Sequence, residues 1–356
     1  MMPRMRFVVT LGLLYAQPFV LAVRSAAAPD FPPHPFVLAD SGELAVVRSE
    51  LTSSGWRASL YRADPGLGFS GAARGLRSNA DRWLKRDIVI PARGGHYHYF
   101  FCDDGTRLQL PNEPKFVSGP YRCPACGRTY AGERYEGALR RTVHAWLAQA
   151  ARDLALVYAL EQKPEYAAKA AEILLKYAEA YPGPHTSAVA GGIQYQSLCE
   201  SMWVIPLAQA FDLIYPALTE PERTKIARLL ETVAGGLRIC GTRGNWGSWH
   251  LSAVGVVGYA TGNRELVAWA TVEFKRQIRD ELGDDGLWPE SVHTYHYFPL
   301  NAFVAFAEAA WHAGEDLYRW EAKPGKSLRA MFTAPLDYAY PDLRLPQAPA
   351  WCRGRP

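Results

Sequence analysis

Two stretches of this chain gather side chains that can hold an anion or move a proton. The first is Asn245-Trp246-Gly247-Ser248-Trp249-His250, which follows Gly241-Thr242-Arg243-Gly244. A glycine-rich loop that delivers an amide, a guanidinium and an imidazole to a helix start suits a carboxylate, because unpaired N–H groups and the helix dipole favour negative charge there. The competing reading is an Asn N-cap with two packing tryptophans and a satisfied core histidine. The second stretch runs Trp288-Pro289-Glu290-Ser291-Val292-His293-Thr294-Tyr295-His296-Tyr297, with two Tyr and two His within five residues. Either type can serve as general acid or base. Its competing reading is an aromatic first turn that packs a loop.

A third stretch, Gly192-Ile193-Gln194-Tyr195-Gln196-Ser197 with Glu200, places amides and hydroxyls at another helix start, a composition that suits sugar hydroxyls and helix capping equally. A fourth joins Cys102 to Cys123-Pro124-Ala125-Cys126-Gly127, with His96 and His98 just upstream. A Cys-x-x-Cys turn closed by Gly sets two thiolates on one ion, so we read a structural zinc on Cys102, Cys123, Cys126 and His98, with His96 as the other choice for the fourth place. A Cys123–Cys126 or Cys102–Cys123 disulfide competes with it in an oxidising compartment. Cys199 and Cys240 are expected on helices, as free thiols or as a pair.

These residues must be held by helices. From Glu136 onward the apolar spacing turns helical: Val143, Leu147, Ala150, Leu154, Val157 and Tyr158 fall at steps of three and four within a helix from Ala138 to Leu160. Pro164 opens the next helix, which stops before Pro182. Ser197 to Tyr215 follows. Thr219-Glu220-Pro221-Glu222 reads as a capping box opening a helix to about Ile239. Helices over Ser248–Ala260, Arg264–Leu282 and Thr294–Ala313 complete the series. Short connections make antiparallel hairpins, and the spacing alone does not choose between a bundle and a closed toroid. Residues 28–135 read as irregular, with short apolar runs at 87–91 and 97–102 and no clear topology.

The amino terminus reads as an export signal: Arg4 and Arg6, an apolar run from Phe7 to Val23, then Ser25-Ala26-Ala27-Ala28 as the cleavage site. Cutting after Ala27 leaves 36 basic against 35 acidic residues, so the +4 of the full chain names no partner. Without a basic tail or Lys/Arg block, nucleic acid is not expected, nor is a membrane once the signal is removed. The expected location is secreted or periplasmic. Hydrophobic residues at 49% and charged residues at 21% mark a globular chain, and six Cys are too few for a disulfide scaffold. Aromatics at 12% fit sugar stacking and a knobbed helical core equally well. Pro335 to Pro346 reads as an irregular segment entering a further domain, and the ten residues after it carry neither periodicity nor cap.

The order Cys-Pro-x-Cys-Gly, long helix, Gly-Gly-Ile-Gln-Tyr-Gln, Asn-Trp-x-x-Trp-His and Trp-x-Glu-Ser-x-x-x-Tyr-His-Tyr resembles the heparinase II/III-like polysaccharide lyases of the alginate lyase and heparinase superfamily, over about residues 80–346. That resemblance implies a mainly α fold, an incomplete (α/α) toroid of helical hairpins preceded by an irregular region with a Cys knuckle. It divides the chain into a signal peptide (1–27), the irregular region (28–135), a toroidal catalytic domain (136–334) and a shortened start of a C-terminal domain (335–356). It implies β-elimination across the uronic-acid linkages of a glycosaminoglycan or alginate-like polymer, an acidic polysaccharide partner, and no catalytic cofactor. Asn245 would neutralise the substrate carboxylate, Tyr295 would transfer the proton, and His250 and His296 would assist by hydrogen bonding. Arg243, Trp246, Trp249, Gln194, Tyr195, Gln196, Glu290 and Tyr297 would line the substrate. Family members usually take a further catalytic His, and often zinc, from a β domain, and residues 347–356 are not expected to form one.

Two other classes stay open at this point. A glycoside hydrolase would need paired carboxylates across the bond, drawn from Asp284, Asp285, Glu290 and Glu200. An inactive acidic-glycan-binding fragment would keep the groove without the chemistry.

Overall fold

The computed structural model describes residues 30–52, 72–290 and 294–340. The expected export signal and the segment after 340 lie outside the described residues, and the architecture below concerns Phe31 onward.

Ten α-helices carry the described chain: α1 (Ser41–Thr52), α2 (Ala72–Leu84), α3 (Glu133–Glu161), α4 (Pro164–Ala180), α5 (Ser197–Ile214), α6 (Glu220–Arg238), α7 (Gly244–Thr261), α8 (Arg264–Asp280), α9 (Thr294–His312) and α10 (Leu328–Asp337). Two antiparallel strand pairs accompany them: β1 (Tyr121–Arg122) with β2 (Thr129–Tyr130), and β3 (Glu321–Lys323) with β4 (Lys326–Ser327). Helix α3 packs on α5, α5 on α7, and α7 on α9, which makes an inner row. Helices α2, α4, α6 and α8 pack outside it, each against inner helices. Alternating inner and outer helices joined by short loops form the incomplete toroid.

Sequence sets the layer. In α5 all residues but Leu198 and Met202 are buried, as an inner helix requires. Outer α8 buries only the stripe Leu266, Val267, Ala270, Phe274, Gln277 and Ile278. Inner helices also come close: a Cβ on Gly255 of α7 would lie 2.3 Å from the Phe306 ring of α9. The capping box is as expected, with the Thr219 N–H donating to Glu222 at 2.8 Å. Asn263 caps α8 by accepting from the Leu266 N–H at 3.2 Å, and Gly262 ends α7 at φ 73°. Among the described residues no helix is long and apolar enough to cross a membrane.

Two expectations change. The region read as irregular contains α1 and α2. Helix α2 packs on α3 through Leu76, Ala80 and Trp83, a spacing masked in sequence by its many polar residues. Within the apolar run 97–102 the chain makes a 3₁₀ turn over Tyr97–Tyr99 and a single bridge from Phe101 to Arg107. The helical part runs past 334, since α10 carries Pro335 to reach Asp337.

Candidate functional site

The loop before α7 is locked from α8. Gln277 is fully buried; its amide donates to the carbonyls of Thr242 at 2.8 Å and Gly244 at 3.1 Å, and accepts from the Ser248 hydroxyl at 2.8 Å. Arg276 also donates to the Thr242 carbonyl, and the Gly244 N–H donates to Glu281 at 2.7 Å. Helix α7 therefore begins at Gly244, one turn before the Ser248 start expected from spacing, and Asn245 falls inside its first turn. Asn245 is buried, and its amide donates to both carboxylate oxygens of Glu290 at 2.8 Å. Glu290 also accepts from the Trp288 indole N–H at 2.8 Å. Arg243 stays exposed, while Trp246 and Trp249 are half-buried, the latter against Phe298 with ring centroids 5.1 Å apart.

Tyr295 and Tyr297 stand on the first turn of α9, 45% and 40% exposed, the accessibility a proton-transfer group needs. Across from Tyr295 lies a residue that the sequence reading left unassigned. Tyr97, on the 3₁₀ turn, has its hydroxyl held above the ordinary tyrosine range by burial, then by Cys199 and Tyr295 beside it, against the opposing pull of Arg141. The Arg141 guanidinium lies 5.2 Å from the Tyr97 ring centre. Next to Tyr97, His96 meets the half-buried Tyr195 edge-on at 5.5 Å, and its buried Nδ1 has no protein partner. Burial, and secondarily His98, lower the His96 pKa. The signal for this wall was present: His96-Tyr97-His98-Tyr99 repeats the Tyr/His mixture of 293–297. Its proximity to the cysteines drew it to the metal reading instead.

The wall is held by close backbone passage. The Gly94 N–H donates to the Ile193 carbonyl at 2.8 Å and the Gly95 N–H to that of Gly137 at 2.6 Å. A Cβ on Gly95 would lie 2.8 Å from the Gly137 carbonyl carbon, so only glycine lets this segment cross α3. Gln194 is buried beneath Gly94, not turned toward a groove. The Gln196 amide oxygen accepts from the Cys199 thiol at 3.8 Å. Glu200 is fully buried, accepting from the N–H groups of Gln194 at 2.8 Å and Ile193 at 3.3 Å, with buried His185 at 3.6 Å. His185 has no counterpart in the sequence reading, because a lone His after Pro-Gly-Pro carries no periodic signal.

Both histidines expected to assist substrate sit in the core with their ring nitrogens spent on the protein. His250 donates from Nδ1 to the Gly241 carbonyl at 2.7 Å and accepts at Nε2 from the Ser197 hydroxyl at 3.0 Å. Burial lowers its pKa to about 4, so it is a neutral ring tying α7 to α5. His296 accepts from the Trp288 N–H at 3.1 Å and donates to the Met331 carbonyl at 2.8 Å, joining α9 to α10. Both rings are struts between helices, with no nitrogen left for a substrate. His98 is likewise corrected: it is exposed, its ring lies on Tyr97 at 3.9 Å, and it does not join the cysteines.

The carboxylates a hydrolase would need are engaged elsewhere. Asp284 pairs with Lys323 at 2.7 Å, Asp285 caps the Leu287 N–H at 3.0 Å, and Glu200 and Glu290 are bound as above. No two of them flank an exposed space as a free pair. Cys199 and Cys240 are free thiols.

The alginate lyase family pattern matches residues 108–342. An exo-oligoalginate lyase of Saccharophagus degradans is 27% identical over 211 residues, 54% of this chain and 28% of that protein. An alginate lyase of Stenotrophomonas maltophilia is 29% identical over 171 residues, covering 43% and 23%. The matched part thus spans about a quarter of the length of these curated relatives. Among solved structures, an alginate lyase from Bacteroides ovatus superposes with a TM-score of 0.62 at 16% identity, over 87% of this chain and 84% of that one. Alginate lyase A1-III from Sphingomonas species A1 gives 0.56 at 17% identity, over 85% and 80%. Both likenesses bear on the fold.

Proposed function

Since the chain belongs to the alginate lyase family, we propose that it cuts a uronic-acid-containing polysaccharide by β-elimination, with Tyr295 moving the proton. The observation that carries this reading is exposed Tyr295 at the start of α9, within electrostatic reach of Tyr97, over whose ring the Arg141 guanidinium lies at 5.2 Å. It supplies proton-transfer groups and a cation without a carboxylate pair, which is what elimination asks for and hydrolysis does not.

The C5 proton of a uronate is weakly acidic because it adjoins the carboxylate. Holding that carboxylate with Arg243, exposed at the loop before α7, stabilises the charge that develops when the proton leaves, while Asn245, its amide nitrogen bound to Glu290, holds that loop in place. The C5–H electron pair forms the C4–C5 double bond as the C4–O bond breaks, and the departing O4 takes a proton. Tyr295 is positioned to serve as base, acid or both. The step as written draws on side chains alone. Tyr195, Trp246, Trp249 and Tyr297 offer partly exposed rings for stacking on sugar faces. Relatives named for alginate put that polymer first among candidate substrates, ahead of glycosaminoglycans.

The test is a panel of alginate, heparan sulfate, chondroitin sulfate, hyaluronan and ulvan, followed by ultraviolet absorbance from new C4–C5 double bonds. One polymer should give rising absorbance, and Tyr295→Phe should abolish it while leaving binding intact. New reducing ends without that absorbance would establish a hydrolase instead. Binding with neither signal would leave a glycan-binding module.

A further inference from the structure

The cysteine turns do something the elimination does not need. Two hairpins meet here. In one, the Phe101–Arg107 bridge closes a turn in which the Gly105 N–H donates to the Cys102 carbonyl at 2.9 Å and the Cys102 N–H to the Thr106 carbonyl at 2.7 Å. In the other, β1 and β2 close a turn in which the Gly127 N–H donates to the Cys123 carbonyl at 3.0 Å and the Cys123 N–H to that of Arg128 at 2.8 Å. Each turn ends on a glycine with positive φ, 83° at Gly105 and 75° at Gly127. Each offers two ligands: Cys102 and Asp104 from the first, Cys123 and Cys126 from the second. One ligand atom from each of the four lies within 4.8 Å of all the others.

We propose that Cys102, Asp104, Cys123 and Cys126 hold one Zn²⁺, and that this ion fixes the Tyr97–Tyr99 wall of the groove. The sulfurs of Cys102 and Cys126 are 3.6 Å apart. A tetrahedron with Zn–S spokes of about 2.3 Å has edges of about 3.8 Å, so the thiols stand at ligand spacing across the gap between hairpins. Three thiolates select a soft or borderline ion over Mg²⁺ or Ca²⁺, and a carboxylate is an accepted fourth ligand for zinc. Cys123 and Cys102 are buried while Asp104 and Cys126 are exposed, so the ion has a closed inner side and an entry path. A second layer is in place, as metal sites require. The Tyr130 hydroxyl lies 3.0 Å from the Cys102 sulfur and also donates to Asp103 at 3.2 Å, and the Asp104 carboxylate accepts from the Thr106 N–H at 2.8 Å.

The link to the groove is covalent and short. Cys102 lies three residues past the end of the 3₁₀ turn, and of the two residues between them Phe100 packs edge-on against Tyr121 of the second hairpin at 5.0 Å. Between the hairpins the Gln109 N–H donates to the Arg122 carbonyl at 2.8 Å, and Asp103 meets Arg128 at 3.5 Å and the Tyr130 hydroxyl at 3.2 Å. Small loop-rich units of this kind need a staple, because their own core is too small. Metal uptake releases the thiol protons, which couples occupancy to pH and chelators.

The experiment measures zinc per chain in protein purified without reductant, then replaces zinc with Co²⁺ and follows sulfur-to-cobalt charge-transfer absorption. One zinc per chain is expected. Asp104→Ala should weaken zinc by at least about tenfold while His98→Ala leaves it unchanged. Asp104→Cys, which keeps four ligands if Asp104→Ala misfolds, should bind cobalt with a four-sulfur spectrum. Removing the ion should speed amide exchange over residues 96–101 and leave α5 and α7 protected. A disulfide between any two of Cys102, Cys123 and Cys126, or no metal after growth with zinc, overturns the site. Loss of metal in His98→Ala with none in Asp104→Ala overturns the ligand set, and unchanged exchange at 96–101 overturns the coupling to the groove.

Discussion

Asn245 and Glu290 form a two-point contact: the amide nitrogen of Asn245 lies 2.8 Å from each carboxylate oxygen of Glu290. The contact joins the two motifs most informative in the sequence, one at the start of α7 and one just before α9. It also fixes which way the Asn245 amide points, since the nitrogen must face the carboxylate. Glu290 and Asn245 therefore hold each other and the start of α7, beside the exposed Arg243 expected to meet the substrate carboxylate.

That assignment separates two substitutions. Glu290→Gln keeps an oxygen that can accept from Asn245 and from the Trp288 indole, so it should retain most turnover. Glu290→Ala leaves two buried donors unpaired and should lower turnover about tenfold or more, with KM rising. Initial rates on the best polymer of the panel decide it. If Gln is as damaging as Ala, Glu290 acts through its charge, and a direct role in proton transfer replaces the positioning one.

His144 and His250 predict a pH dependence of stability. Both are buried neutral rings with pKa lowered to about 4, chiefly by burial. Below their ordinary 6.5 the unfolded chain binds protons that the folded chain refuses, so stability falls as pH drops from about 6.5 to about 4 and is unaffected by these groups above that window. Each contributes a slope of about 1.4 kcal/mol per pH unit in the middle of the window. Denaturant midpoints across this range should give a flatter slope for His250→Gln, and flatter still with His144→Gln added. A double variant with the wild-type slope would reject the assignment.

The helical ladder was legible because it rests on local signals. Apolar steps in α3, the capping box at Thr219 and the Pro164 start are written in neighbouring residues, and the structure places those helices within a few residues of expectation. The groove was less legible because its walls come from distant segments. Nothing near Tyr295 in sequence points to Tyr97, which arrives through the Gly94–Gly95 crossing of α3. The same reason explains His250 and His296. A histidine beside catalytic-looking residues reads as catalytic, and only tertiary structure reveals that Gly241, Ser197, Trp288 and Met331 already take both nitrogens. Asp104 was missed as a partner of the cysteines because a carboxylate two residues after Cys102 has no Cys-x-x-Cys signature.

Two glycines that look alike in sequence should respond oppositely to alanine. A Cβ on Gly247 would lie 2.1 Å from the Thr242 carbonyl carbon, a backbone atom pinned by Gln277 and Arg276. Gly247→Ala should cost about 1–3 kcal/mol and displace Asn245, so turnover falls although no functional group is removed. Gly235, exposed on outer α6, has nothing within 4 Å of its would-be Cβ. Gly235→Ala should stabilise by about 0.5–1 kcal/mol through helix propensity and leave turnover unchanged. Thermal midpoints and initial rates measured together check both. A stabilising Gly247→Ala would mean the loop before α7 is not held as described.

Tyr97 and Tyr295 lie within electrostatic reach of each other, and their surroundings give them different tasks. Tyr97 is held above the ordinary tyrosine range by burial, Cys199 and Tyr295, so its hydroxyl keeps its proton and is available as a donor. The natural acceptors are the Tyr295 oxygen and the departing sugar oxygen, both of which gain negative charge as the C4–O bond breaks. A donor to developing charge strengthens in the transition state, so its loss should appear in kcat and not in KM. Tyr97→Phe is expected to lower kcat about ten- to a hundredfold, the size of one hydrogen bond to a charged oxygen, with KM within about a factor of two. Because Tyr97 is 39% exposed, the thermal midpoint should not move. Steady-state kinetics of Tyr97→Phe beside Tyr295→Phe give the answer: a change confined to KM would make Tyr97 a sugar contact, and the proton transfer would rest on Tyr295 without it.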